Sequence, residues 1–196
     1  MPDAAAQRGL VLTHGAGVNC KAPLLVLLAD AFCAAGYAVL RCDMAFRQRR
    51  PSGPPSPATG PDDRASLRDA VSAMRKMTTG PVTLGGHSYG GRQSSMLAAE
   101  TPGLVESLLL LSYPLHPPGN PTQMRTAHFP ALQTPALFVQ GARDPFGSLE
   151  ELTAALKMIP AATELIPVSG TGHDLKGAKF RMADTLIERL SSRPPG

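Results

Sequence analysis

Residues 81–91, Pro81-Val82-Thr83-Leu84-Gly85-Gly86-His87-Ser88-Tyr89-Gly90-Gly91, decide how this chain folds. Pro81 to Gly86 is a short apolar run of strand character. Ser88 to Glu100 reads as a helix, ended by Pro102 and Gly103. Between them, Gly86-His87-Ser88-Tyr89-Gly90 matches the pattern G-x-S-x-G, whose physical content is a tight strand-to-helix turn. Such a turn holds its serine in a strained backbone conformation. It needs glycine on both sides because larger side chains would collide across it. It also lifts the serine oxygen to the end of a sheet. The start of a helix then lies beneath it, with unpaired N–H groups and the positive end of the helix dipole facing any negative charge that develops.

Working outward, apolar runs alternate with longer helical stretches. Gly9 to His14 is a strand, Ala22 to Ala35 a helix stopped by Gly36, and Tyr37 to Cys42 a second strand. Residues 45–61 are dense in Pro, Gly, Arg and Ser, too proline-rich for a helix or a central strand. Asp62 or Asp63 can cap a helix running to Met77, with Leu67, Val71 and Met74 at helical spacing. Leu104 to Ser112 reads as a buried strand and Tyr113 to Thr134 as a proline-rich connection. Pro135 to Gln140 is a strand, Ser148 to Met158 a helix, Glu164 to Val168 a strand, and Lys176 to Leu190 the last helix. Strands alternating with helices predict an α/β fold: a three-layer sandwich around a mostly parallel central sheet of about six strands. The alternation continues across both proline-rich segments, so residues 1–196 are expected to form a single domain. In such sheets ligands bind beyond the carboxyl ends of the strands, so the residues just after each strand carry the function.

Composition narrows the function classes. Hydrophobic residues make up 43% of the chain and charged residues 17%, enough apolar material for a sizeable core. No apolar run reaches the roughly 18–20 residues that span a bilayer, so no membrane association is expected. The first ten residues lack a secretory pattern, and the expected address is the cytoplasm. A net charge of +4 is a mild excess, concentrated at Arg47, Arg49 and Arg50. Without a zinc-finger, RNP or basic-helix pattern it predicts no specific nucleic-acid binding. Cys20, Cys33 and Cys42 have no paired spacing and read as ordinary thiols. The histidines show no HExxH-like spacing, and no Walker lysine follows the first glycine-rich loop. Neither a metal nor another cofactor is expected.

A serine hydroxyl is a weak nucleophile unless a base takes its proton, and the base needs an orienting acid. On a sheet of this kind the order is serine, acid, histidine, with acid and base each following a later strand. Asp144 follows the Pro135–Gln140 strand and His173 follows the Glu164–Val168 strand. Asp174 is adjacent to His173 in sequence and poorly placed to orient its ring, while Asp43 and His14 precede the serine. An oxyanion hole is expected from the backbone N–H groups of Tyr89 and Ala16, the latter on the His14-Gly15-Ala16-Gly17 loop. Arg47, Phe46, His116 and Phe146, with Tyr89 and Phe129, are candidate walls of a substrate cleft, and Arg47 could meet an anionic group.

With the His14–Gly17 loop, the Gly86–Gly90 turn, Asp144 and His173 in place, the sequence resembles the α/β-hydrolase superfamily over nearly its whole length. Within it, the chain is similar to a small group of lidless hydrolase-like proteins. That group shares LTHGAG near the start, GGHSYGGR at the turn and QGxRDPFG at the acid. It includes mammalian testis-expressed and chromatin-complex relatives, some regarded as scaffolds. The resemblance implies a serine hydrolase acting through an acyl-enzyme, with Ser88, Asp144 and His173 as the triad, on a small carboxylic ester. A non-catalytic binding or scaffold module is the rival reading, and a thioesterase or peptidase a lesser one. The partner is then a small-molecule ester, and the protein a monomer or homodimer. Two departures from the superfamily stand out. Only about eight residues precede the first strand, so the initial antiparallel strand pair is not expected, and the lid segment at 113–134 is short, which implies an open cleft. The chain also resembles dienelactone hydrolases in size, but those carry cysteine at the turn.

Overall fold

The computed structural model describes residues 6–177 and 181–192. Six strands form one sheet in the order β2-β1-β3-β4-β5-β6. They are β1 (Gly9–Thr13), β2 (Ala38–Cys42), β3 (Val82–His87), β4 (Ser107–Leu111), β5 (Ala136–Gly141) and β6 (Thr163–Val168). Every pairing is parallel. Parallel neighbours need a crossover, and helices α1 (Pro23–Ala34), α3 (Gly60–Met74), α4 (Tyr89–Glu100) and α5 (Leu149–Leu156) supply most of them. A further helix, α6 (Arg181–Ser191), follows β6.

The period of two along each strand divides the core between the two faces. Leu108, Leu110, Ala136 and Phe138 pack with Leu67, Val71, Met74, Leu97 and Leu152 from α3, α4 and α5. Leu109, Leu111, Leu137 and Val139 pack on the other face with Leu25, Leu28, Phe32 and Leu186 from α1 and α6. The apolar character of β4 thus reflects coverage on both faces: all four leucines are fully buried. The result is the three-layer α/β sandwich expected from the alternation.

Local chemistry fixes the element ends. α1 starts with Pro23 in its first turn and is followed by Gly36 at φ +86°. At α5, Ser148 Oγ accepts from Glu151 N while Glu151 returns a bond to Ser148 N, a capping box.

Three expectations need correction. Residues 45–61 are not wholly irregular: Ala45–Arg49 form a short helix, α2, because the prolines begin only at Pro51, and Pro57–Thr59 make a 3-10 turn. Neither Asp62 nor Asp63 caps α3; the helix starts at Gly60 after Thr59, and Asp63 is fully buried with other partners. The last helix does not begin at Lys176. Gly177 sits at φ +86° in a turn, and residues 178–180 of the expected span lie outside the described residues. Residues 112–135, where a lid would be inserted, carry only the 3-10 turn Phe129–Ala131.

Candidate active site

Ser88 sits between β3 and α4 at φ +53°, ψ −117°, a conformation that costs a non-glycine residue about 1–3 kcal/mol. The surroundings impose it. Ser88 N donates to Leu111 O at 2.8 Å, extending the β3–β4 ladder by one residue before α4 begins. A Cβ on Gly86 would lie 2.5 Å from the carbonyl carbon of Gly90, and one on Gly90 would lie 2.6 Å from the carbonyl oxygen of His14. Only glycine fits at either position, so the turn and its contact with the first loop are built together.

Two later strand ends bring a base and an acid to this oxygen. His173 Nε2 lies 2.7 Å from Ser88 Oγ, and His173 Nδ1 lies 2.8 Å and 3.0 Å from the two oxygens of Asp144. A carboxylate can only accept, so Nδ1 carries the ring proton and Nε2 presents a lone pair to the serine hydroxyl. The Asp144 side chain is fully buried, whereas the His173 side chain is 21% exposed. Asp144 also accepts from Phe146 N at 2.9 Å and from Gln140 Nε2 at 3.0 Å. Phe146 lies against the His173 ring with 4.1 Å between centroids. His87 Nε2 donates to the carbonyl oxygen of His173 at 2.8 Å, and burial pushes the His87 pKa down, keeping that ring neutral.

The His14–Gly17 loop closes the other side. A Cβ on Gly15 would stand 3.5 Å from Ser88 Cβ, which puts this loop directly against Ser88. His14 is completely buried. Its Nε2 accepts from Met44 N at 3.3 Å and its Nδ1 donates to Gly15 O at 2.9 Å. Burial lowers its pKa, so its 3.3 Å approach to Asp43 is a contact of a neutral ring rather than an ion pair. Tyr89 is the first residue of α4, where backbone N–H groups lack an intrahelical partner. Ala16, Ser88, Tyr89 and Phe146 share the wall of one cleft of about 710 Å³.

Four expected wall residues are turned elsewhere. Arg47 is 5% exposed, and its guanidinium donates to the carbonyls of Ala16, Val18, Gly53 and Arg50. It ties the first loop to the proline-rich segment and lies outside the cleft lining. Phe46 is buried edge-on to Tyr89, with ring centroids 5.7 Å apart. His116 faces Pro117 O and Glu151. Phe129 is fully buried in the core beside Tyr113 and Phe138. The sequence reading also missed two residues. Gln140, 1% exposed, orients Asp144, and its signal was a lone amide ending an apolar strand. Asp63 accepts from Phe46 N at 2.8 Å and from the Tyr89 hydroxyl at 2.7 Å, tying α3 and α2 to the residue after Ser88. Among the described residues no His, Cys, Asp and Glu side chains cluster as metal ligands, and no helix is long and apolar enough to cross a membrane.

A doubly covered parallel sheet with a strained serine after β3, and an aspartate and a histidine after β5 and β6, defines the α/β-hydrolase fold. Residues 6–191 match the family described as alpha/beta hydrolase domain, and the chain belongs to it. Solved structures agree on the fold. Est1E from Butyrivibrio proteoclasticus, solved with ferulic acid bound, superposes with a TM-score of 0.78 at 17% identity, over 96% of this chain and 90% of that one. Dienelactone hydrolase from Anabaena variabilis gives a TM-score of 0.71 at 20% identity, covering 98% and 86%. XC6422 from Xanthomonas campestris, described as an α/β serine hydrolase without a lid, gives 0.69 at 20%, covering 100% and 88%.

Proposed function

We propose that this protein is a serine hydrolase that cleaves a small carboxylic ester through an acyl-enzyme on Ser88. The observation that carries the reading is the unbroken chain from Ser88 Oγ through His173 to buried Asp144, opening into the cleft. His173 Nε2 takes the Ser88 proton as Oγ attacks the carbonyl carbon. The oxyanion formed is held by the N–H groups of Tyr89 and Ala16. Asp144 keeps the imidazole in the needed tautomer and balances its positive form. The protonated Nε2 then gives its proton to the departing alkoxide, and the carbonyl re-forms as the acyl-enzyme. Water, deprotonated by His173, attacks that ester; the carboxylic acid leaves and Ser88 regains its proton. The absence of a helical insertion between β4 and β5 supports short or surface-presented acyl groups.

A fluorophosphonate probe tests the reading. Labelling is expected in the unmodified protein and absent in Ser88→Ala. Asp144→Asn is expected to lower kcat on p-nitrophenyl acetate by about 10³–10⁴-fold. Folded protein that never labels, and turns over no ester or thioester in a panel of acyl lengths, would instead favour a binding module.

A further inference from the structure

Arg92 and Arg125 are the two arginines in the wall of the cleft beside Ser88. Arg64, Arg75, Arg49 and Arg189 each pair with a carboxylate, and Arg47 and Arg8 are taken up by backbone carbonyls. Arg92 and Arg125 form no ion pair among the described residues, although both face the cleft beside Ser88. Arg92 Nε is buried with no hydrogen-bond partner, and Arg125 makes only a long 3.4 Å bond to Pro114 O. Arg92 lies one helical turn beyond the nucleophile, its N–H donating to Ser88 O at 3.0 Å, so it rises on the same face of α4 about 5–6 Å along the axis.

Among the described residues no carboxylate answers these charges. The cleft wall contains neither Asp nor Glu. Asp63 is engaged by Phe46 N and Tyr89, and Asp144 by His173, Gln140 and Phe146 N. The Arg92 charge is felt at Arg125: burial and the neighbouring Arg92 charge both lower the Arg125 pKa. His128, which shares the wall, is pushed down to about 4 by burial and by Arg92, and so adds no positive charge at neutral pH. Two cations held together, one with a desolvated and unused donor, make a site lacking its anion. Arg guanidinium matches a planar carboxylate with paired N–H donors. Met96 and Met124 on the same wall offer an apolar path between such a group and Ser88.

Building on the Ser88 hydrolase reading, we infer that the substrate is an ester carrying a carboxylate within a few bonds of the scissile carbonyl, gripped by Arg92 and Arg125. The carboxylate can belong to the acyl part or to the leaving group, and two substrate pairs separate these. For the acyl side, kcat/KM for the p-nitrophenyl hemiester of glutaric acid is compared with that for neutral p-nitrophenyl valerate. For the leaving group, 4-carboxyphenyl acetate is compared with phenyl acetate. One pair is expected to favour the anion by about 10–100-fold at low ionic strength, as a charge-assisted hydrogen bond allows. That preference should shrink in 0.5 M NaCl and collapse towards unity in Arg92→Gln or Arg125→Gln. The salt arm needs no variant, so the test stands even where a substitution impairs folding. Fluorophosphonate labelling with no anion preference in either pair overturns this inference alone, as does a preference that survives both substitutions. No labelling and no turnover overturns the hydrolase reading with it.

Discussion

Replacing Gln140 by Met isolates how the acid is held. Gln140 Nε2 donates to Asp144 at 3.0 Å and to Gly147 O at 3.2 Å, with Tyr113 O at 3.5 Å, while its Oε1 is buried without a partner. Three oxygens around Nε2 fix which way the amide points. Methionine nearly conserves the volume and removes both amide groups. The loss is a charge-assisted bond of about 1.5–3 kcal/mol plus about 1 kcal/mol at Gly147; the gain is relief of a desolvated oxygen, about 1–3 kcal/mol. The net cost to stability is therefore small, about 1 kcal/mol. The effect on turnover is not small. Asp144 keeps only Phe146 N and His173 as donors, so the carboxylate can pivot and take the ring off line. A misplacement on the order of 1 Å is worth up to about 100-fold. The expectation is a 10–100-fold fall in kcat on p-nitrophenyl acetate with KM little changed, and a urea midpoint close to the original. If the folded variant keeps kcat within about threefold, Gln140 does not position Asp144. A stability loss well beyond 3 kcal/mol would show that the unpartnered oxygen was no burden.

Ser88→Gly should be more stable than Ser88→Ala by about 1 kcal/mol in urea denaturation, because glycine relaxes the φ +53° strain while alanine retains it; equal midpoints would remove the strain argument. His14, His87 and His128 all have folded pKa values below 6.5, so the unfolded chain binds more protons as pH falls through that value. Stability present above pH 6.5 should decline as pH drops towards about 4, and His128→Gln should flatten the fall in Tm between pH 7 and pH 5. An identical fall in both proteins would rule out His128 as a contributor. Arg47→Met leaves the carbonyls of Ala16, Val18 and Gly53 short of a donor, costing about 2–3 kcal/mol, and should slow anionic and neutral esters alike. A selective loss with anionic esters would return Arg47 to the substrate side.

What could be read in advance divides along a physical line. The strands and helices were legible because burial imposes a period of two or 3.6, and β4 shows how directly: each leucine follows its neighbour to the opposite face. The Ser88 turn was legible for a steric reason, since backbone at 2.5–2.6 Å admits glycine alone at 86 and 90. His173 and Asp144 follow because a parallel sheet delivers successive strand ends to one edge. Direction within a loop has no such period. Arg47 and Arg92 are both arginines a few residues beyond a strand end. One is consumed by carbonyls from two other segments and the other is left bare in the cleft, an outcome set by where residues 16–18 and 53 come to lie. Arg47, expected to meet an anionic group, therefore lies outside the cleft lining, while Arg92 is part of it. The same limit explains His116, drawn away by the capping glutamate of α5, and Gln140, whose role appears only once Asp144 is seen beside it. Side chains that catalyse sit on the regular frame, whereas side chains that select a substrate sit where loops meet. For this chain the strand-end serine, aspartate and histidine are the legible part, whereas Arg92 and Arg125 meet in one cleft wall only once the chain is folded.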